Sequence, residues 1–222
     1  MGVKHAKGEY LLFLNADKLV RNDFTGDAVN ILKRKDTGAI GLKMYNEDGS
    51  FQLSFWKENT FRNEKVNKEW EEHFKKRDRK FTDKIENEYS DIVEVDWVSG
   101  AAMMMRKDIF EEAGGFDEDF FLFYEDADIC KRLTKKGYKI YFYPGSDILH
   151  YKGENVNKEF TGKTYFYSKQ SQVYYYKKHN PISDRILLRI YLIAKFSYKY
   201  FTSFKSLNLK ILLMLLGLRN RP

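Results

Sequence analysis

Residues 96–150, DWVSGAAMMMRKDIFEEAGGFDEDFFLFYEDADICKRLTKKGYKIYFYPGSDILH, decide the fold class, because short apolar runs alternate there with glycine breaks. Ile92–Val98 and Ala101–Arg106 read as strands on either side of Ser99-Gly100. Lys107–Ala113 reads as a short helix stopped by Gly114-Gly115. Phe116–Tyr124 is a loop crowded with acids and aromatics. Ala127–Lys136 has the spacing of a helix with Ile129 and Leu133 inward, closed by Gly137. Tyr138–Tyr143 reads as a strand halted by Pro144-Gly145, and Ile148-Leu149-His150 leads into Tyr151-Lys152-Gly153. Strands and helices taking turns in this way predict a mixed α/β domain.

Upstream, Tyr10–Leu14 (YLLFL) follows Lys7-Gly8 and reads as a buried strand of a parallel sheet. Asn15-Ala16-Asp17 end it. Asp27–Lys35 is a predicted helix ended by Thr37-Gly38, Ala39–Tyr45 a strand, and Asn46–Gly49 a turn. Residues 57–91 hold neither Gly nor Pro and are dense in Lys, Glu, Asn and Arg. Val66, Trp70 and Phe74 repeat every four residues within them, as on an amphipathic helix. This stretch reads as a charged insertion with no assigned chemistry.

The whole chain has 222 residues, 43% hydrophobic and 32% charged, with a formal charge of +7, a composition that folds and buries a core. A lone Cys130 rules out an internal disulfide, and no signal-peptide pattern opens the chain, which favours a reducing cytosolic setting. No apolar run approaches the ~20 residues that span a bilayer. The positive charge suggests nucleic acid at first, but its placement argues otherwise. Residues 177–222 carry ten basic groups against one acid, Asp184, a balance of +9; residues 1–176 carry 29 basic and 31 acidic groups, a balance of −2. At about 100° per residue from Arg185, the cations Arg189, Lys195 and Lys199 fall at about 40°, 280° and 320°. Arg185, Arg189, Lys195 and Lys199 thus share an arc, with Ile186, Leu187, Ile190, Ile193, Ala194 and Phe196 assigned to the remainder. Two readings are open: a helix in a membrane interface with cations toward anionic head groups, which is favoured, and a helix packed on the body with a solvated basic stripe.

Three polar features end or follow apolar elements, where open α/β sheets place their ligand crevice. Asn15 and Asp17 could hold a hard divalent cation on substrate phosphates, or form an Asx turn. Glu125-Asp126 could supply a general base, or simply cap a helix N-terminus. His150 could complete a metal site with Asp17, or be a hydrogen-bonded structural residue. No GxSxG, HExxH or Walker-type loop occurs, so nucleophilic Ser/His/Asp catalysis has no support.

Together, AKGEYLLFLNAD (residues 6–17), the 96–150 stretch and the following YKGEN resemble the inverting family 2 glycosyltransferases of GT-A fold, especially the bacterial rhamnosyltransferase-like branch. The resemblance covers about residues 4–155. It implies a GT-A-like α/β core with a doubly wound mixed sheet over residues 1–160, and an aromatic, basic, amphipathic helical tail over 161–222. It further implies that Asn15 and Asp17 bind the donor diphosphate, with Asn in place of a first carboxylate, and that Asp17 and His150 hold Mg2+ or Mn2+. Asp126 is then the base with Glu125 beside it, and Trp97, Ser99, Gly100 and Tyr124 lie on the acceptor side. The implied partners are a nucleotide-sugar donor, a glycan or lipid-linked acceptor, and the inner face of the cell membrane, touched by residues 185–218; no nucleic acid is implied. The implied activity is sugar transfer in cell-envelope polysaccharide synthesis. In the resembling family, nucleotide-binding βα units precede the YLLFL segment. The chain is therefore expected to correspond to the C-terminal part of such an enzyme, to expose an apolar sheet edge, and to bind nucleotide-sugar poorly alone. The alternative is a non-catalytic remnant that binds membrane or a partner.

Overall fold

The computed structural model describes residues 2–151 and 162–218; the YKGEN segment after Tyr151, Arg219 and Arg221 lie outside the described residues. The chain folds into two compact units: one built from residues 2–58, 65–117 and 126–151, the other from 59–64, 118–125 and 162–218.

The first unit is organised by a seven-stranded sheet. Its strands are β1 (Tyr10–Leu14), β2 (Lys18–Val20), β3 (Thr37–Asn46), β4 (Phe51–Gln52), β6 (Val93–Val95), β8 (Ala102–Arg106) and β9 (Lys139–His150). The main path runs β1-β8-β3-β9-β2, with β4 on β3 and β6 on β9. β5 (Phe55–Trp56) and β7 (Trp97–Val98) form a separate ribbon. Only β3 and β9 are parallel; the other pairs are antiparallel. The sheet is mixed, as expected.

Alternation along β8 divides the core between the two faces. Met103 and Met105 join a cluster with Ile109 and Phe110 of α4 (Lys107–Glu112) and with Ile129, Cys130 and Leu133 of α5 (Glu125–Lys135). Ala102 and Met104 face Ala28, Ile31 and Leu32 of α1 (Thr25–Leu32). Each face is thus covered by helices, and each apolar strand is read from both sides. The charged insertion folds into α2 (Glu64–Lys75) and α3 (Arg79–Glu88). Ile85 enters the first cluster, with Trp70, Phe74 and Phe81 packed against it, while Val66 stays 37% exposed.

Several local expectations need correction. β1 pairs only with β8, antiparallel, and is an edge strand with Leu12 40% exposed. A continuous apolar run identifies a strand but not the direction of its neighbour. Thr37-Gly38 opens β3 instead of standing between elements, and Asp96 splits the predicted 92–98 strand between two sheets. Pro144-Gly145 does not halt β9. The register steps from Leu42↔Tyr143 to Met44↔Ile148, so residues 144–147 bulge opposite Lys43. The bulge is fastened by the Ser146 hydroxyl to Lys43 N–H at 2.7 Å, by Asn22 to Gly145 C=O and Asp147 N–H, and by Arg21 to Asp147. Proline is tolerated there because a bulge needs no ladder N–H.

The second unit contains α6 (Gly162–His179), α7 (Ile182–Ser203) and α8 (Ser206–Leu215). Glu64 accepts hydrogen bonds from Gln172 and Tyr176, and Ser171 donates to Leu122 C=O, each at 2.8 Å. On α7 the buried residues are Leu188, Leu192 and Phe196. At about 100° per residue they fall at about 300°, 340° and 20°, within the arc that holds the cations. Phe196 therefore belongs to the basic arc, not opposite it. Two of those cations are engaged locally: Arg185 donates to Asn180 C=O and Arg189 to Leu215 C=O, both at 2.7 Å. The opposite half of α7 carries no charge and leaves Ile186 52%, Ile190 60%, Tyr198 72% and Phe201 69% exposed.

Candidate active site

β1 ends at Leu14, and Lys18 N–H bonds back to Asn15 C=O, so residues 15–18 make a turn that leads into β2. Lys18 then pairs with His150 across the β2–β9 ladder, and Tyr151 N–H bonds Asp17 C=O at 2.8 Å. This register places Asp17 Oδ2 3.0 Å from His150 Nε2. The other ring nitrogen, Nδ1, lies 2.9 Å from Gln52 Oε1, presented by β4. The His150 ring thus bridges Gln52 and Asp17, and its contact with Asp17 favours the ionised carboxyl. Two ligands on adjacent corners of an octahedron with bonds of about 2.1 Å are about 3.0 Å apart. The 3.0 Å separation of Asp17 and His150 matches that spacing, and Gln52 is the outer partner of the His150 ring. Among the described residues no group of three or more His, Cys, Asp and Glu side chains is arranged to hold a metal. A cation here therefore needs further oxygens from its substrate.

Asp17 has a third neighbour, since Lys18 Nζ is 2.7 Å from its Oδ1. Burial works to raise the Asp17 pKa, but the hydrogen bond and charge of Lys18, with His150, outweigh it and hold the carboxyl below its ordinary value.

The Ser99-Gly100 loop is held by a close approach. Val98 of β7 crosses β3 at Gly41, where an added Cβ would stand 2.5 Å from the Val98 side chain. Ser99 N–H bonds Ser54 C=O at 2.8 Å, fixing the turn that presents Gly100. Gly100 N–H donates to Asp126 Oδ2 at 3.0 Å, and Ala127 N–H to Oδ1 at 2.8 Å. Any side chain at residue 100 would approach Asp126 Cβ at 3.4 Å. Asp126 is half-buried. Burial pushes its pKa up, offset only in part by the N–H groups of Gly100, Ala127 and Asp126 itself. Trp97 stacks on Trp56 at 4.3 Å between ring centroids, and its Nε1–H donates to Lys57 C=O. Asn15 is exposed, and its N–H bonds Ala101 C=O at 3.0 Å, next to Gly100. A short bonded path thus runs from Asp126 through Gly100-Ala101 to the Asn15–Lys18 turn and on to Asp17 and His150.

In the second unit, Phe123 and Tyr124 take positive φ values of 65° and 72°, immediately before Glu125 opens α5. Bulky residues seldom adopt this conformation, and strain of this kind clusters at functional segments. The Tyr124 ring lies 5.5 Å from that of Tyr175.

The family model described as glycosyltransferase like family 2 matches residues 1–170. The chain belongs to this family. Relatives include the rhamnosyltransferase WbbL of Escherichia coli (strain K12), 26% identical over 185 residues, 83% of this chain and 68% of that protein. Another is the N-acetylglucosaminyl-diphospho-decaprenol L-rhamnosyltransferase of Mycobacterium tuberculosis, 29% identical over 86 residues, 39% of this chain and 28% of that protein. Solved structures that overlay on the family 2 chain include GalNAc-T7 with UDP, GalNAc and Mn2+, at a TM-score of 0.48 and 16% identity over 79% of this chain and 35% of that one. The Pyrobaculum calidifontis mannosyltransferase PcManGT with GDP-Man and Mn2+ overlays at 0.46 and 19%, over 80% and 41%.

The Asp17–His150 contact joins two residues that the sequence reading had paired, and the Gly100–Asp126 contact joins two that it had singled out separately. Lys18, Gln52 and Trp56 were missed. Only Lys18 carried a signal, its place beside Asp17.

Proposed function

We propose that this chain forms the metal-binding and acceptor-side part of an inverting glycosyltransferase. It would move a sugar from a nucleotide-sugar donor to a hydroxyl of a glycan or lipid-linked acceptor in cell-envelope polysaccharide synthesis. The observation that carries the reading is the Asp126 carboxylate, oriented by Gly100 and Ala127 N–H groups and connected through Ala101 to Asn15.

Asp126 would accept the proton of the acceptor hydroxyl as that oxygen attacks the anomeric carbon. The carbon–oxygen bond to the diphosphate breaks on the opposite side, so the configuration inverts. A raised pKa makes Asp126 a better proton acceptor than an ordinary aspartate, and two N–H donors keep its oxygens aimed. Glu125 precedes it in the first turn of α5, where an acid is favoured by the helix dipole. Asp17 and His150 would hold Mg2+ or Mn2+, which supplies positive charge against the departing diphosphate. Asn15 lies beside the same diphosphate. Trp97, Ser99, Gly100 and Tyr124 would bind the acceptor, with the Trp97 face offered to a sugar ring.

A lipid-linked acceptor fits a cytoplasmic enzyme held peripherally on the inner face of the membrane through residues 185–218. The uncharged, exposed half of α7 supports this reading, with exposed Phe204 and Lys205 at its end. No helix among the described residues is long and apolar enough to cross a membrane. In this scheme residues 1–160 are the transferase core and 161–222 the attachment. The second reading, a non-catalytic partner-binding remnant, is favoured by the open edge of β1.

The test is sugar transfer by this chain, alone and fused to the N-terminal part of a full-length relative. Transfer by the fusion that survives Asp126→Asn would refute the assignment of the base. Absence of transfer in every combination would favour the remnant.

A further inference from the structure

Lys18 is a third group at the Asp17–His150 pair, and the metal reading above, on which this inference rests, does not account for it. β2 begins at Lys18, opposite His150. The lysine side chain is 1% exposed, whereas Asp17, to which it binds, is 38% exposed. Lysine is almost never enclosed to this degree unless its ammonium is paired, and enclosing it costs the rotamer freedom of a long stem. Both Asp17 oxygens are therefore engaged, Oδ1 by the ammonium at 2.7 Å and Oδ2 by the imidazole at 3.0 Å.

We propose that Lys18 is a built-in counter-cation that shares the Asp17 carboxylate with the divalent ion. Without the ion, the ammonium satisfies Asp17. When a bare ion binds, two positive charges meet on one carboxylate and repel at short range, and the enclosed lysine has little room to retreat into solvent. The affinity for the ion alone is accordingly low. A diphosphate brings the negative charge that offsets both cations, so ion and diphosphate enter together. Lys18 is in these terms a positioning residue that couples metal occupancy to donor occupancy.

The test is Mn2+ titration of the 222-residue chain followed by electron paramagnetic resonance, without nucleotide, with and without inorganic pyrophosphate. In the unaltered chain, pyrophosphate should tighten retention of Mn2+ at this site by at least about tenfold over the metal–pyrophosphate background. Lys18→Met and Lys18→Gln should each bind Mn2+ alone at least about tenfold more tightly than the unaltered chain, as removal of a neighbouring like charge requires. They should also gain less from pyrophosphate. Unchanged or weaker Mn2+ binding in both variants overturns the inference, as does an absence of any pyrophosphate effect in the unaltered chain. If both variants fail to fold, as thermal melts would show, Lys18→Arg takes their place: it keeps the cation and should leave binding of Mn2+ alone within about twofold of the unaltered chain, and a gain of about tenfold there overturns the inference. His150→Ala separates the two levels. If it weakens Mn2+ while the Lys18 changes do nothing, the cation site stands and only the role of Lys18 falls. If neither matters, the metal reading of Asp17 and His150 falls too.

Discussion

Asp17 lies in the turn between β1 and β2 and Asp126 in the first turn of α5, and their surroundings drive them in opposite directions. At Asp17 burial is outweighed by an ammonium and an imidazole, and the carboxyl is held ionised. At Asp126 no cation is among the causes of the shift; burial dominates, with only Gly100, Ala127 and its own backbone N–H in opposition. The difference teaches that depth and a neighbouring charge together sort the two: Asp126 lies deeper with no cation among its causes, and the more open Asp17 has Lys18. A carboxylate that stays charged is suited to a cation and a diphosphate. One that holds its proton more readily is suited to general-base work near neutral pH.

The sharpest way to break this contrast is Asp126→Asn, which removes the proton acceptor while keeping the shape. The rate of transfer at saturating substrates should fall by about 10⁴-fold, the upper end for loss of a general base, with Mn2+ binding unchanged. Asp17→Asn should act on the other side of the contrast. It should lower kcat/KM by about 10³-fold and abolish the Mn2+ signal, since charge stabilisation of the leaving group is lost. Gln52→Leu touches only the outer partner of His150 and should weaken Mn2+ binding by about 10- to 100-fold, measured by the same resonance titration.

The smallest effect is on the pH dependence of stability. A carboxyl whose pKa is raised on folding binds its proton more tightly in the folded state. Its contribution is therefore present below the ordinary value of about 3.9 and is lost as pH rises through the raised one. Asp126→Asn removes that loss. Between the ordinary carboxylate range and neutrality, its melting temperature should decline less, or rise more, than that of the unaltered chain. The opposite slope would contradict the burial assigned to Asp126.

Much of the architecture was legible because apolar periodicity and glycine breaks report locally. α1, α4, α5, β3 and β8 lie within a few residues of where the pattern put them. Glu125 and Asp126 were legible as the start of α5 for the same reason. Strand direction was not, since Tyr10–Leu14 looks the same beside a parallel or an antiparallel neighbour. Gln52 was invisible because β4 is two residues long and reaches His150 only through the hairpin at Gly49. The stacking of Trp56 on Trp97 required the register of a ribbon that joins segments some forty residues apart. On α7 the cations were legible as an arc, but which side of the helix turns inward depends on its packing, and that side proved to be theirs.

The bulge at residues 144–147 fixes how the chain can change length. Four residues of β9 stand against Lys43, three more than a regular ladder holds. Three is an odd number, and alternation along a strand has a period of two. The excess is what puts Ile148 on the same face as Tyr143, in one cluster with Leu42 and Met44. Removing a single residue there would carry His150 to the other side of the sheet, away from Asp17, and the fastened Ser146, Asn22 and Arg21 leave no slack to absorb the change. Insertions and deletions at this point should therefore survive in pairs, so that the cation site constrains the spacing of a segment that contributes no ligand to it.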